Sequence, residues 1–544
     1  MQEALAVNVP DPRLRKQALI SLVRSHIPTM AESLVAAASA LLLVLSFPNF
    51  DLWPLAWIGL TPLILVSAEC EKPLRAFVAG WWWGVIFFYG SCWWLTYPMV
   101  HYGHITPWLA YPLLLLPVAL VAVFPALFCA FVNRLVMRFG HGAILSAPLV
   151  WVSLELARYT VTGQVWNAIG YSQSFHPFLI QSARWGGVYA VGSLLITSNA
   201  LIAFALLSKG VLRLFASAII LSMVLFILGL SNFETGLPAI SSGGPANRIV
   251  AVQPNVPMDE LNDAASMNEL LNRHLRLSAD GLKKNSDSPT MPTLVIWPES
   301  PMNFAYSRDS RLQRLLAEFT QSHQVSLLLN SLEPATAGGE YNSAILINEQ
   351  GQKEAQYDKI RLMPFGEYVP LPRWLPGASS VRGIVGEFIP GSSYTLMPLG
   401  DLRAGVFICI EAAHPGIART FTNQGADVLI NISNDGYLGP TAVMRQHLAN
   451  AVFRAVENDR PVLRVTNSGI SASIDSDGRI MSSTASFQPD VQVWYATRGT
   501  KVTTFYSRHA DLFAYACALI TLGFISASFI LGKTQNRESL YNRG

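Results

Sequence analysis

Three polar residues stand in surroundings that suit acyl chemistry. Glu299 closes the apolar run LVIWPE, Lys359 sits in YDKIRLMPFGEYVP, and Cys409 ends GVFIC, followed by Ile410 and Glu411. A cysteine can attack an acyl carbon, a glutamate can take the thiol proton, and a lysine can stabilise a thiolate or a tetrahedral oxyanion. Together they suffice for acyl transfer through a thioester. Free cysteine is also among the most buried residue types and usually behaves as a small hydrophobe, so residue types and spacing leave that second reading open. A turn after Cys409 into a helix opening at Pro415 would bring peptide N–H groups and the positive helix end near the thiol, and both favour thiolate.

The elements that must position these residues follow from the pattern around them. RIVAVQPNV, TLVIWPES, VSLLLNSL, AGVFICIEAAHPG and ADVLINISND read as strands. Amphipathic stretches near 263–282, SRLQRLLAEFTQSH and 441–458 read as helices. YNSAILINEQGQKEAQYDK and VLRVTNSGISASIDSDGRI read as hairpins with turns at EQG and SDG. Alternating strands and helices with hairpins predict a layered α/β or α+β fold. Glu299 and Cys409 fall at the carboxyl ends of strands, where sites in such folds form.

The rest of the chain has a different character. Of 544 residues, 51% are hydrophobic and 13% charged, about half the charge of a soluble protein. Apolar runs near 30–48, 52–68, 76–99, 107–132, 143–159, 186–207, 212–230 and 512–531 predict about eight transmembrane helices. Arg13, Arg15, Lys16 and Arg24 precede the first. Lys72 and Arg75, Arg134 and Arg138, and Lys209 and Arg213 fall in alternate loops, and Lys533, Arg537 and Arg543 follow the last. The intervening loops PNFD and HYGHIT carry no Lys or Arg. Cytoplasmic loops concentrate basic residues, so both termini are expected in the cytoplasm and the polar region outside the cytoplasmic membrane. The start of the chain carries no signal of a cleavable leader. Glu155 and Arg158, at i and i+3 in the fifth run, are expected to pair and so to lower the cost of charge in a span. GWWWGVIFFYGSCWW reads as an aromatic belt or as the lining of a lipid groove. Only Cys409 of the five cysteines lies in the polar region, so that region holds no internal disulfide. A net charge of +3 without a long basic run argues against nucleic acid.

TLVIWPES, YDKIRLMPFGEYVP, GVFICIE, LINISND and RPVLRVTNSGISASIDSDGRI closely resemble the carbon–nitrogen hydrolase, or nitrilase, superfamily. With PFGEYVP, FPNFDLWPLAWIGLTPL and WNAIGYSQ, the resemblance narrows to its membrane-embedded branch, the apolipoprotein N-acyltransferases, and extends over nearly the whole chain. It implies an α-β-β-α sandwich outside the membrane and a Glu-Lys-Cys triad of Glu299, Lys359 and Cys409, supported by Glu367 and Glu411. It further implies that a membrane phospholipid donates an acyl chain to Cys409, and that the α-amine of a diacylglyceryl-cysteine at an apolipoprotein N-terminus accepts it. No metal or soluble cofactor is implied. The expected organisation is a cytoplasmic segment over 1–29, a membrane domain over 30–231, a catalytic domain over 248–499, a last span over 512–531 and a cytoplasmic tail over 532–544 of an inner-membrane protein. The chain departs from the family pattern at Met258 in VQPNVPMDELNDAA, which lacks a Lys-Trp pair, and at Tyr437 and Leu438 in SNDGYLGP. Both changes bear on substrate contacts. Two rivals remain: a membrane-tethered amidase or nitrilase acting on a small soluble substrate, and a transporter or receptor with an inactive outer domain. The acceptor, lipid-anchored amine or water, separates the first. The spans hold few buried charges of the kind that mark ion pathways, which argues against the second.

Overall fold

The computed structural model describes residues 26–233, 247–258, 264–284, 291–335, 338–370, 388–496 and 502–541. The basic residues of the first 25 positions, and Arg543 in the tail, lie outside the described residues. The first helix, α1 (Met30–Ser46), opens on a capping box in which Thr29 and Glu32 satisfy each other's backbone donors. The second apolar run is broken into a 3-10 turn, Trp53–Trp57, and α2 (Thr61–Glu69). The break falls beside Gly59, where a Cβ would collide with Leu43. The third run is also divided. Its helix α3 (Pro73–Cys92) gives way to a 3-10 turn over Trp93–Leu95 and a short helix over Thr96–His101. Then come α4 (Pro107–Val121), α5 (Val123–Phe139), α6 (Ala147–Thr162), α7 (Ala183–Leu207) and α8 (Gly210–Phe233).

These helices pack through small residues, as expected where lipid replaces water and close backbone approach must supply the attraction. A Cβ on Gly84 would lie 2.6 Å from Pro125 Cγ and 2.9 Å from Ala122 Cα, so Gly80 and Gly84, four apart on α3, let that helix meet the start of α5. Among the described residues, four helical stretches are long and apolar enough to cross a membrane: Pro107–Phe139, His141–Thr162, Ala183–Leu207 and Leu512–Ile530. Trp108, Leu116, Leu120, Val211, Leu214 and Leu519 point outward, fully or largely exposed. An apolar surface of that extent suits a bilayer.

The polar region folds into two six-stranded sheets. The first contains β1 (Asn247–Gln253), β2 (Thr293–Ile296), β3 (Ser326–Pro334), β4 (Glu340–Ile347) and β5 (Lys353–Asp358). The second contains β6 (Leu396–Leu399), β7 (Leu402–Ile408), β8 (Val428–Ser433), β9 (Val462–Thr466), β10 (Ala472–Ile474) and β11 (Ile480–Ser483). The last strand, β12 (Asp490–Ala496), returns to pair antiparallel with β1, giving the order β12-β1-β2-β3-β4-β5 beside β11-β10-β9-β8-β7-β6. In each sheet the central strands are parallel: β1, β2 and β3 in one, β7, β8 and β9 in the other.

Alternation decides which face each side chain joins. Val250, Val252, Val295, Leu327, Leu329 and Ile345 share a core with Leu270 of α9 (Ala264–Lys283) and Leu312 and Leu316 of α10 (Ser310–His323). Their neighbours Ile249, Ala251, Leu294, Ile296, Leu328 and Ala344 share a different core with Phe407, Ile408 and Ile430 of the second sheet. The turns follow the predicted chemistry. Gly351 (φ 78°) and Gly478 (φ 88°) occupy the left-handed positions. Asn348 and Asp475 cap those turns by accepting backbone N–H bonds of 2.8–3.1 Å. Two further helices, α11 (Pro415–Asn423) and α12 (Val443–Asn458), flank the second sheet, and α13 (Leu512–Tyr541) returns to the apolar region and runs on through most of the expected tail.

Candidate active site

Each sequence-selected residue begins where a strand stops. Glu299 follows β2, Lys359 follows β5 by one residue, and Cys409 follows β7 by one residue. The parallel strands share a direction, so their carboxyl ends open on the same side, and the polar groups collect there. Lys359 Nζ donates to Glu299 Oε1 at 3.3 Å and to Glu367 Oε1 at 2.9 Å. Its side chain is almost wholly buried. Burial alone would lower the ammonium, but the Glu299 and Glu367 charges outweigh it and hold Lys359 above the ordinary lysine value.

Asn342, on β4, completes this cluster and was not marked by the motifs. Its Nδ2 donates to Glu299 Oε1 at 2.8 Å and to Glu367 Oε1 at 2.6 Å. Its Oδ1 accepts from Asn330 Nδ2 at 2.7 Å, which turns the donor end toward the two carboxylates. Glu299 Oε2 accepts from the Asn434 N–H at 3.1 Å. All of these partners donate to Glu299, so both of its oxygens act as acceptors, one of them facing the loop after β8. Glu367 Oε2 accepts from the Met363 N–H at 2.7 Å, which closes the PFGE turn around Lys359. Phe365 sits at the tip of that turn with φ 60°, about half exposed.

Cys409 is half-buried and lies within electrostatic reach of Glu299 and Lys359. Burial pushes its thiol up and the Glu299 charge adds to this, while Lys359 and a hydrogen bond with Ser433 pull the other way. The balance lies above the ordinary thiol value. The turn and the helix at Pro415 are expected from the sequence to favour thiolate; burial and the Glu299 charge act in the opposite direction. A 3-10 turn over Cys409–Ala413 separates the thiol from that helix.

Glu411 is fully buried but does not bond to Lys359. Its Oε1 accepts from Tyr357 Oη at 2.8 Å and from the N–H groups of Ile360 and Arg361 at 2.8 and 3.0 Å. Its Oε2 accepts from the Ile408 N–H at 2.8 Å. One carboxylate thus ties the segment after Lys359 in the first sheet to the residue before Cys409 in the second. Its bonds fix the backbone on either side of both Lys359 and Cys409.

The site is attached to the apolar helices through α12. Gln446 Oε1 accepts from Trp94 Nε1 and Trp166 Nε1, both at 3.1 Å, and its Nε2 donates to the carbonyls of Pro48 and Ser91 at 3.2 and 3.0 Å. Arg445 pairs with Asp51 at 2.8 Å. The WNAIG segment that carries Trp166 is held from below by the two charges of α6. Arg158 donates to the Trp166 carbonyl at 2.7 Å, and Glu155 accepts from the Ile169 N–H at 2.9 Å. Among the described residues these two side chains form no ion pair with each other, contrary to the expected i, i+3 pairing. Backbone groups of a loop reach both charges more closely.

Comparison with known proteins agrees along the chain. Residues 39–201 match the apolipoprotein N-acyltransferase N-terminal domain, and residues 253–498 match the carbon–nitrogen hydrolase domain. The chain is 33% identical over 494 residues to the apolipoprotein N-acyltransferase of Geobacter metallireducens, covering 89% of this chain and 92% of the relative. It is 32% identical to that of Allorhizobium ampelinum, covering 83% and 87%. Among solved structures, a mutant of the amidase from Nesterenkonia sp. AN1, with the acetamide moiety of fluoroacetamide added covalently at its active site cysteine, is 15% identical. The match has a TM-score of 0.36 and covers 52% of this chain and 99% of that one.

Proposed function

This chain belongs to the apolipoprotein N-acyltransferase family, and from that membership we propose that it N-acylates the N-terminal diacylglyceryl-cysteine of apolipoproteins, the last step of lipoprotein maturation. The acyl donor is a membrane phospholipid, and the reaction runs in two halves through a thioester on Cys409. In the first, Cys409 Sγ attacks the ester carbonyl as its proton passes to Glu299. The carbonyl oxygen gains charge beside the Lys359 ammonium. The carbon–oxygen ester bond then breaks, and the glycerol oxygen takes the proton from Glu299, leaving a lysophospholipid. In the second, the α-amine attacks the thioester, Glu299 takes its proton, the carbon–sulfur bond breaks and the thiol is restored as the amide forms. Glu367 and Asn342 keep Lys359 charged and aimed, and Glu411 holds the two strand ends in register.

The observation that carries this reading is the buried Lys359 held between Glu299 and Glu367, beside Cys409, in a domain fastened by Gln446 to Trp94 and Trp166 of the apolar region. Both substrates are anchored in lipid, so the reacting groups belong at the bilayer surface. The proposal includes about eight spans over 30–231 and 512–531 of the inner membrane. It also places both termini in the cytoplasm and a four-layer α-β-β-α sandwich over 248–499 on the outer side.

Purified enzyme given phospholipid with a labelled acyl chain and a synthetic diacylglyceryl lipopeptide is expected to move the label into an amide on the lipopeptide. Release of label only as free fatty acid, with the lipopeptide unchanged, would refute the transfer. Glu367→Gln keeps the shape of the cluster but places an amide opposite the donors of Lys359 and Asn342. Loss of a charged hydrogen bond of about 1.5–3 kcal/mol predicts a roughly 10- to 100-fold fall in turnover. Wild-type turnover in this variant would show that Glu367 merely closes the turn.

A further inference from the structure

The motifs do not single out a buried chain of charges beneath the nucleophile. Arg464, on β9, donates to Asp435 Oδ2 at 2.6 Å. Asp435 Oδ1 accepts from Ser433 Oγ at 2.8 Å and faces His447 Nδ1 at 2.9 Å. The other ring nitrogen, His447 Nε2, faces the Cys409 carbonyl oxygen at 3.0 Å. Arg464, Asp435 and His447 are each at most 2% exposed. Burial alone would raise the Asp435 carboxyl, yet Arg464 and His447 outweigh it and hold that group below the ordinary range. The partner at Nδ1 is thus a carboxylate. Both ring nitrogens face oxygen acceptors, so the ring spans the gap between the Asp435 carboxylate and the Cys409 carbonyl.

The backbone at Cys409 shows what this chain of bonds can do. Cys409 has φ 52°, the left-handed region, which a residue with a Cβ adopts only where its surroundings impose it. Two bonds flank it: Glu411 takes the N–H of Ile408 before it, and His447 takes its own carbonyl. We propose that His447, anchored by Asp435 and Arg464, is a positioning residue that holds the Cys409 carbonyl and so fixes the direction of the thiol toward Glu299 and the acyl carbon. The residue before it, Gln446, fastens the same helix to Trp94 and Trp166, so the nucleophile keeps its place relative to the membrane helices.

This inference rests on the acyl-transfer reading, and a lipid-free measurement separates the two. In full-length enzyme in detergent, Cys409 alkylation by iodoacetamide and its acylation by phospholipid are both followed by mass spectrometry. In His447→Gln, alkylation and acylation are expected to fall together by about 100-fold, the scale of a 1 Å misplacement, with KM for phospholipid within about twofold of wild type. Asp435→Asn is expected to show the same defect with the imidazole still present, and the double variant to be no slower than the slower single one. Wild-type alkylation in either folded variant, or additive losses in the double variant, would overturn the proposal. So would a fall in acylation caused by KM alone. If neither variant folds, ¹⁵N spectra of the unaltered protein decide. Hydrogen on Nε2 of the buried ring supports the bridge, and a bare Nε2 overturns it. Normal alkylation of wild-type Cys409 with no acylation by any phospholipid would count against the donor reading and leave the positioning role standing.

Discussion

Cys409→Ala is expected to abolish the acyl-enzyme. Incubated with phospholipid and no acceptor, the wild-type protein should accumulate a hydroxylamine-labile acyl mass on Cys409, and the variant none. Overall transfer should fall by roughly 10⁴-fold or more, as when the nucleophile of another acyl-transfer enzyme is removed. The fold should survive, because alanine is smaller and fits the left-handed φ of 52° about as well as cysteine does. Cys409→Ser should form at most a slow ester, since a hydroxyl is a far weaker nucleophile than a thiolate. The raised thiol also predicts how the base variant behaves. With burial and Glu299 both holding the proton on sulfur, the wild-type reaction depends on transfer to Glu299. In Glu299→Gln only the small thiolate fraction can react. Its acylation rate should start low and climb about tenfold per pH unit above neutrality, because that fraction grows until pH passes the thiol's own value. Acyl mass on another residue, or a flat pH profile in Glu299→Gln, would contradict this account.

Lys359→Met is expected to damage both rate and stability. The ammonium is nearly fully buried and is the cation that joins Glu299 to Glu367, at 3.3 and 2.9 Å. Removing it leaves two carboxylates facing each other across Asn342. Breaking a buried pair from one side costs about 3–5 kcal/mol of stability. Loss of one oxyanion donor costs about 10²–10³ in kcat. Neutralising one carboxylate should restore part of the stability and none of the rate, so Lys359→Met/Glu367→Gln should melt above Lys359→Met while turning over no faster. Equal melting of the single and double variants would mean that the three groups are not coupled. The sign of the pH effect follows from the direction of the shift. Lys359 is held above its ordinary value, so its contribution is complete below the unfolded lysine range and fades only as pH rises through the higher folded value. Mild acid therefore should not release this contact by titrating the lysine.

Glu299 and Cys409 were legible because each ends or follows an apolar strand, a pattern visible in one dimension; the strand before Lys359, KEAQYD, is polar, and only the motif around that lysine marked it. Their partners were less legible. Asn330 and Asn342 are polar residues of a type depleted in strands, and that mismatch was the available signal for the amides that orient the carboxylates. His447 and Gln446 lie on α12, where every residue from Val443 to Asn458 except Arg445 is buried. A helix enclosed on all sides has no hydrophobic period from which to infer a face. Nothing in its spacing says that one residue faces the Cys409 carbonyl and the residue before it binds two tryptophans.

Local chemistry that needs only near neighbours was determined by the sequence: the apolar runs, the alternating strands, the glycine turns at 351 and 478, and the amphipathic helices on the first sheet. Whatever depended on competition among distant groups was decided by the tertiary structure. Glu155 and Arg158 sit one helical turn apart, yet each found a better partner in the loop backbone of Trp166 and Ile169. Glu411 stands two residues from Cys409, yet three of its bonds reach Tyr357, Ile360 and Arg361 in the other sheet. Burial and Glu299, a residue far away along the chain, push the Cys409 thiol up, opposite to the direction expected from the nearby helix end. Electrostatic free energy depends on distance and on exclusion of water. Both are properties of the assembled layers, and sequence spacing specifies neither.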